Sequence, residues 1–245
     1  APTVTASYTE PVRTFNGTSY YDGPYTATYT INEANFYPED VYLYLSRNDG
    51  TRQRVSVNWT TNGDNHTASY PISEDGIYQL TLEYRDRSGN AMPSQDSGRI
   101  IVDAVDPLIN VSYNNNAAQS SFNGRDYYNA SRTATVTITE RNFNASDVEL
   151  FFTATDVGGQ ALNVANFVSS SNWSSAGDTH TMTINYPGDA NYSFDIAYSD
   201  LANNAAADYA EDNFAVDAAN PTDLTVNYSG TLVTALGGYA YYNSP

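Results

Sequence analysis

Short runs in which apolar and polar residues alternate recur along this chain, and turn-forming residues separate them. In "ATYTI", Ala27, Tyr29 and Ile31 fall on one face and threonines on the other, and "YQLTLEY" (78–84) alternates in the same way. Strands this short and this regularly spaced predict an antiparallel sandwich with almost no helix. The strands predicted for the first hundred or so residues are 3–8, 25–32, 41–46, 53–58, 66–71, 77–85 and 98–103.

The chain repeats itself. "TATYTINEANF" (26–36) returns as "TATVTITERNF" (133–143), and "IIVDAVDP" (100–107) returns as "FAVDAANP" (214–221). The spacing of equivalent positions grows by seven residues within the repeat, which places an insertion around "DVGGQALNVANF" (156–167). We therefore predict three units, the last one incomplete, as in a fragment of a longer array: 1–106, 107–220 and 221–245.

A local motif identifies the kind of sandwich. "DGIY" (75–78) and "DANY" (189–192) place an Asp, a small residue and a Tyr at the entrance of the sixth predicted strand, the arrangement of the immunoglobulin tyrosine corner. Tyr78 and Tyr192 are accordingly predicted to be structural. The predicted fold class is all-β, with tandem immunoglobulin-like antiparallel β-sandwiches of about seven strands each.

Composition excludes several functions. The chain has 245 residues and no Cys, and all ten basic residues are Arg, so disulfides, thiolate metal sites and Lys isopeptide crosslinks are absent. A net charge of −18 disfavours nucleic acid and anionic membrane surfaces as partners. No apolar run approaches the roughly 18 residues that a membrane span needs.

The repeated segments "YYNASRTATVTITERNF" and "YSDLANNAAADYAEDNFAVDAANP" resemble the tandem bacterial Ig-like repeats of large cell-surface proteins of Gram-positive gut anaerobes. The resemblance extends over both units and the third beginning, although the first unit has "INEANF" where the second has "ITERNF". It implies an extracellular, cell-wall-attached multidomain protein. It implies no enzymatic activity.

Repeated aromatic residues are the candidate binding positions, because exposed aromatic rings can stack on sugars or anchor a protein partner. Packing in a core without disulfides is the alternative. The candidates are Tyr20, Tyr21, Tyr127, Tyr128, Trp59 and Trp173.

Polar residues at strand ends are interpreted as structural. Glu33 and Glu140 are in phase with core positions and are expected to accept hydrogen bonds from the "NF" turn that follows each. His66 and His180 occur at the same position of both units, which favours a structural role over a catalytic triad. No catalytic residue is predicted.

Aspartate residues at the domain boundaries are possible metal ligands. Asp103 and Asp106, with Asp217 in the next linker, fall at domain boundaries where a bound Ca²⁺ ion would stiffen a rod, although Asn220 replaces the second Asp in that linker. No other cofactor or metal motif is present in the sequence.

The sequence thus predicts a non-catalytic, semi-rigid stalk or adhesive segment, monomeric and elongated. The alternative is a binding module for a host protein, such as immunoglobulin or another glycoprotein, or for a mucin glycan, in which repetition adds avidity.

Overall fold

The computed structural model describes residues 1–221, together with the backbone of residues 232–236 and 239–242. Its strands form separate groups of sheets. The first sandwich consists of β1 (Thr3–Tyr8), β2 (Arg13–Phe15), β3 (Thr18–Tyr21), β4 (Tyr25–Asn32), β5 (Val41–Arg47), β6 (Gln53–Val55), β7 (Thr60–Asn62), β8 (Asn65–Ile72), β9 (Gly76–Tyr84), β10 (Gln95–Asp96) and β11 (Arg99–Val102). The second sandwich consists of β12 (Leu108–Tyr113), β13 (Ser120–Phe122), β14 (Arg125–Tyr128), β15 (Arg132–Thr139), β16 (Val148–Thr155), β17 (Ser169–Ser170), β18 (Ser174–Ala176), β19 (Thr179–Tyr186), β20 (Ala190–Tyr198) and β21 (Asp212–Val216).

Each sandwich is built from two sheets. In the first, the strand orders are β1-β4-β8-β7 and β2-β3-β11-β9-β5-β6, with β10 beside β9. In the second they are β12-β15-β19-β17, with β18 also on β19, and β13-β14-β21-β20-β16. The predicted all-β, tandem immunoglobulin-like fold class is confirmed. The predicted boundaries at 106/107 and 220/221 fall in segments between or after these sheets.

Alternation along the strands places the core where the sequence predicts it. Ala27, Tyr29 and Ile31 of β4 are at most 1% exposed, and the four alternate apolar residues of β9 are all buried. Rows of this kind from both sheets meet in one apolar cluster per sandwich. Burial of this apolar area is the main favourable contribution to folding.

Short strands were missed by the sequence prediction. All seven strands predicted for the first sandwich are present, but β2, β3, β7 and β10 are two to four residues long and were not predicted. The chain leaves one sheet after β1 and joins the other through the β2-β3 hairpin, whose turn is Asn16-Gly17 with both φ angles positive. β3 then pairs in parallel with β11.

The segment that carries the seven-residue insertion pairs differently from its counterpart in the first sandwich. In the first sandwich β6 pairs with β5, at the edge of the second sheet. In the second sandwich β17 pairs instead with β19, in the opposite sheet. The connection first bridges to β16 through Ala161, and a short 3₁₀ turn, Val164–Asn166, then leads to β17.

Helical structure is limited to 3₁₀ turns among the residues that the structure describes, and none of them is long and apolar enough to cross a membrane. The remaining ladder pairs β22 (Leu232–Leu236) with β23 (Tyr239–Tyr242). The rest of the predicted third unit, 221–245, lies outside the described residues apart from Pro221.

The tyrosine corners form in both sandwiches. The hydroxyl of Tyr78 donates to the carbonyl of Glu74 at 2.8 Å, and that of Tyr192 donates to the carbonyl of Gly188 at 2.7 Å. Both rings are buried, so each hydroxyl ties the turn before the strand to the core.

We predict that Tyr192→Phe destabilises the second sandwich by about 1 kcal/mol, because the half-buried carbonyl of Gly188 loses its donor while the ring stays in place. Urea denaturation followed by Trp fluorescence measures the change. Tyr42→Phe is the control, since Tyr42 is 40% exposed, and should change the free energy of unfolding by less than about 0.5 kcal/mol. Equal effects of the two substitutions would contradict the role of the corner.

Candidate functional site

The structure places the aromatic candidates as buried or half-buried side chains. Tyr21 and Tyr128 are each 5% exposed and belong to the two cores. Tyr20 is 7% exposed and lies in a separate apolar cluster between the sandwiches. Tyr127, the equivalent of Tyr20, is half-buried. The physical reason is that a core without disulfides needs large rings to fill it.

The two Trp residues also pack against the cores. Trp59 lies edge-to-face on Phe36 with ring centroids 5.2 Å apart, and Trp173 repeats this contact with Phe143 at 5.2 Å. Both indoles are half-buried. Their repeated geometry fits the packing alternative.

The two His residues are held as structural groups. The Nε2 atom of His180 lies 2.7 Å from the backbone oxygen of Glu140, and its Nδ1 atom lies 2.7 Å from the hydroxyl of Ser175. A carbonyl only accepts, so Nε2 carries the proton and Nδ1 accepts from Ser175. His66 repeats the arrangement. A catalytic triad needs a carboxylate where this His has a carbonyl.

Three buried carboxylates meet where the two sandwiches join. Asp103 follows β11 of the first sandwich, whereas Glu140 and Asp200 follow β15 and β20 of the second. Their exposures are 2%, 5% and 1%, and one oxygen from each lies within 4.8 Å of the others. We call these three residues the junction cluster.

Local backbone geometry sets the direction of each carboxylate. The backbone N–H of Asp103 donates to the carbonyl of Tyr21 at 2.9 Å, which continues the β3-β11 ladder into the linker. One oxygen of Glu140 accepts from the N–H of Asn142, the turn hydrogen bond expected for it, and Glu33 repeats this bond with Asn35 at 3.0 Å.

Asp200 is held by the turn that it begins. Both of its oxygens accept from Asn204, one from the backbone N–H and one from the side-chain amide, each at 2.9 Å. The "DLANN" segment (200–204) is thus a turn. The turn also brings Asp200 to the sandwich interface, a position that its local sequence does not indicate.

Polar contacts join the sandwiches around the cluster. The side-chain amide of Asn142 donates to Asp103, and that of Asn204 donates to the backbone oxygen of Asp103 at 2.9 Å. Arg13 forms a bidentate pair with Asp147 at 2.7 and 3.1 Å. These bonds connect the linker and β2 of the first sandwich to turns of the second.

An apolar contact lies beside these bonds. Tyr20 and Ile101 of the first sandwich pack against Leu201 and Ala202 of the second. In the first sandwich the position equivalent to Leu201 is Arg87, which pairs with Glu39 and Asp40 of its own sandwich. The interface therefore has both a polar and an apolar part.

Burial changes the pKa values of carboxyl groups in the cluster. It raises the pKa of Glu140 to about 7, and the carboxylates of Asp103 and Asp200 add to the rise. Burial also raises the pKa of Asp200. A cavity of about 230 Å³ opens beside the cluster, and Arg141 is the only cation among its described lining residues.

The junction aspartates predicted from sequence are placed differently by the structure. Asp103 is in the cluster, whereas Asp106 is exposed and outside it. Asp217 is exposed, and its N–H donates to the carbonyl of Tyr128 at 2.9 Å, as that of Asp103 does to Tyr21. Asp217 thus takes the place of Asp103 at the far end of the second sandwich.

The fold and the junction define a protein of tandem immunoglobulin-like β-sandwiches. No protein-family model matches its sequence, and no curated protein sequence matches it. One solved structure to which it is similar is described as FdeC, a broadly conserved Escherichia coli adhesin, with 16% identity and a TM-score of 0.36. The alignment covers 87% of this chain and 62% of the length of that one. The fold class rests on the strands described above.

We predict that Leu201→Ser loosens the junction, because a polar side chain at a 5% exposed position removes its apolar contact with Tyr20 and Ile101. Backbone ¹⁵N relaxation should then show the two sandwiches tumbling more independently than in the parent chain. Arg87→Ser, the equivalent substitution in the first sandwich, should leave relaxation unchanged. Identical relaxation in Leu201→Ser and parent would show that this contact does not couple the sandwiches.

Proposed function

We propose that this chain is a non-catalytic segment of a bacterial cell-surface protein, in which successive sandwiches stack into a semi-rigid stalk that presents an adhesive region. The observation that carries the proposal is the set of direct contacts between the two sandwiches at their junction. Two sandwiches share buried polar contacts and an apolar contact, and their linker lacks the Gly/Ser tract that makes a connection flexible.

The negative charge of the chain supports the proposal of an extended array on the cell surface. A net charge of −18 keeps such an array soluble and disfavours contact with anionic surfaces. The surface location, cell-wall attachment and Gram-positive source are parts of this proposal, and the resemblance of the repeated segments to Ig-like surface repeats supports them.

One surface favours the alternative of a binding module for a host protein or a mucin glycan. On β5 of the first sandwich, Tyr42 and Tyr44 stack with centroids 6.2 Å apart. Arg54 lies over Tyr42 at 4.2 Å and Arg52 lies over Tyr44 at 4.3 Å. Tyr42 and both Arg residues are exposed, and Tyr44 is half-buried. Accessible aromatic rings and guanidinium groups are typical of binding hot spots. We call these four residues the tyrosine–arginine surface.

For the stalk, we predict that the chain is an elongated monomer without hydrolytic activity. Size-exclusion chromatography coupled to X-ray scattering should give a pair-distance distribution with the long tail of two sandwiches in line. A symmetrical distribution, as from a compact sphere, would contradict the stalk.

For the alternative, we predict that Tyr42→Ser with Tyr44→Ser abolishes any saturable binding that biolayer interferometry detects against immunoglobulins or intestinal mucins, because both rings leave the surface. Phe151→Ser, at the position of the second sandwich equivalent to Tyr44, is the control, since Phe151 is 51% exposed. Binding that survives the double substitution would remove the tyrosine–arginine surface as the site.

A further inference from the structure

The charges of the junction cluster are poorly balanced by the protein. Three carboxylates are at least 95% buried, and the ion pair that they form within the described residues joins Asp103 to Arg141 at 3.8 Å. Arg141 itself is 41% exposed in its side chain. Two further carboxylates, Asp75 and Asp178, line the adjacent cavity. Buried anions normally have a cation as partner, because removing them from water is costly.

A separate observation concerns Glu140. Its Oε1 atom accepts from Asn142, whereas its Oε2 atom has no hydrogen-bond partner among the described residues. The side chain is 5% exposed and lines the cavity of about 230 Å³. The oxygens of Asp103 and Asp200 are both used in hydrogen bonds, so Glu140 presents the free acceptor of the cluster.

The spacing of the cluster fits a large divalent cation. Ca²⁺ binds oxygen at roughly 2.3–2.6 Å, so two ligands on opposite sides of one ion are about 5 Å apart. The carboxylate oxygens of the cluster lie within 4.8 Å of one another, which one such ion spans. Mg²⁺ requires shorter bonds and near-octahedral geometry, which makes it the weaker fit.

The available donor atoms point to the same kind of ion. All three are carboxylate oxygens, and the nearest imidazole, His180, already uses both nitrogens for hydrogen bonds. The amide of Asn142 touches the cluster, and a flipped assignment would present its oxygen as a further ligand. A set of oxygens without sulfur or nitrogen suits a hard cation.

We propose that the junction cluster binds one Ca²⁺ ion, held by Asp103 of the first sandwich and by Glu140 and Asp200 of the second. Because its ligands come from both sandwiches, the ion cross-links them across the linker. This inference goes beyond the proposed function, since it holds whether the array is a stalk or a binding module.

The chain contains an internal comparison for this site. Glu33 and Asp86 are the equivalents of Glu140 and Asp200 in the first sandwich, where the described residues supply no third carboxylate to complete a cluster. Glu33 is only half-buried. A substitution at Glu33 therefore tests the same side chain at the same position of the fold, without the junction.

Isothermal titration of the whole chain with CaCl₂ tests the proposal, at about 0.15 M ionic strength so that diffuse binding to the acidic surface is screened. We expect one saturable site with a dissociation constant below about 1 mM, the range of extracellular modules. Glu140→Gln should weaken this site at least tenfold and Glu33→Gln should not change it. Asp103→Asn is the second ligand variant, and circular dichroism checks the fold of each.

The outcomes are distinct. Absence of a saturable site, or a site that Glu140→Gln and Asp103→Asn both leave intact, would overturn the proposal. Equal affinity for Mg²⁺ in a parallel titration would overturn the assignment to Ca²⁺. A compact scattering profile would instead contradict the stalk and leave the metal site unaffected.

A distance measurement tests the cross-link. Because the chain has no Cys, Asn62→Cys and Val157→Cys place spin labels on exposed positions of the first and second sandwiches. Double electron–electron resonance should give a narrower distance distribution with CaCl₂ than with chelator, and adding Glu140→Gln should abolish the narrowing. An unchanged width alongside saturable binding would overturn the cross-linking role.

Discussion

Apolar packing between two sheets is the interaction on which each sandwich depends, because the chain has no disulfide to support it. Leu80 and Phe194 stand where immunoglobulin domains place a cysteine, and both are fully buried. Large rings fill the same interiors, as the contact of Tyr186 with Phe214 at 5.0 Å shows. Much of the aromatic content is therefore used in packing, so a high Tyr count is weak evidence of a binding surface in this protein.

The sequence predicts the long strands well, because alternation over six to nine residues is typical of a strand with one buried face and does not fit the period of a helix. It fails for strands of two to four residues such as β2 and β10, which offer too few positions for a period. A turn signal was nevertheless present: Asn16-Gly17 and Asn123-Gly124 adopt positive φ at both hairpins. The pairing of β17 with β19 depends on tertiary contacts, which no local pattern encodes.

Local sequence patterns also do not predict which side chains a neighbouring sandwich buries. Tyr20 and Tyr127 occupy equivalent positions, yet Tyr20 is buried against the second sandwich and Tyr127 is half-buried. The difference between Leu201 and Arg87 is a sequence signal of this interface. An apolar residue appears in the second unit where the first has an exposed charge, and comparing repeats position by position would have revealed it.

The junction cluster shows why a site shared by two domains is only partly predictable. Asp103 draws attention because it lies in a linker, whereas Glu140 and Asp200 each have a sufficient local role in a turn. Only the fold brings the three within 4.8 Å of one another. The apolar contact of Leu201 with Tyr20 does not depend on ions in solution. The electrostatic energy of three buried carboxylates does depend on them, because a bound cation offsets their charge. Coupling between the sandwiches therefore has a constant apolar part and an electrostatic part that depends on which cation neutralises the cluster.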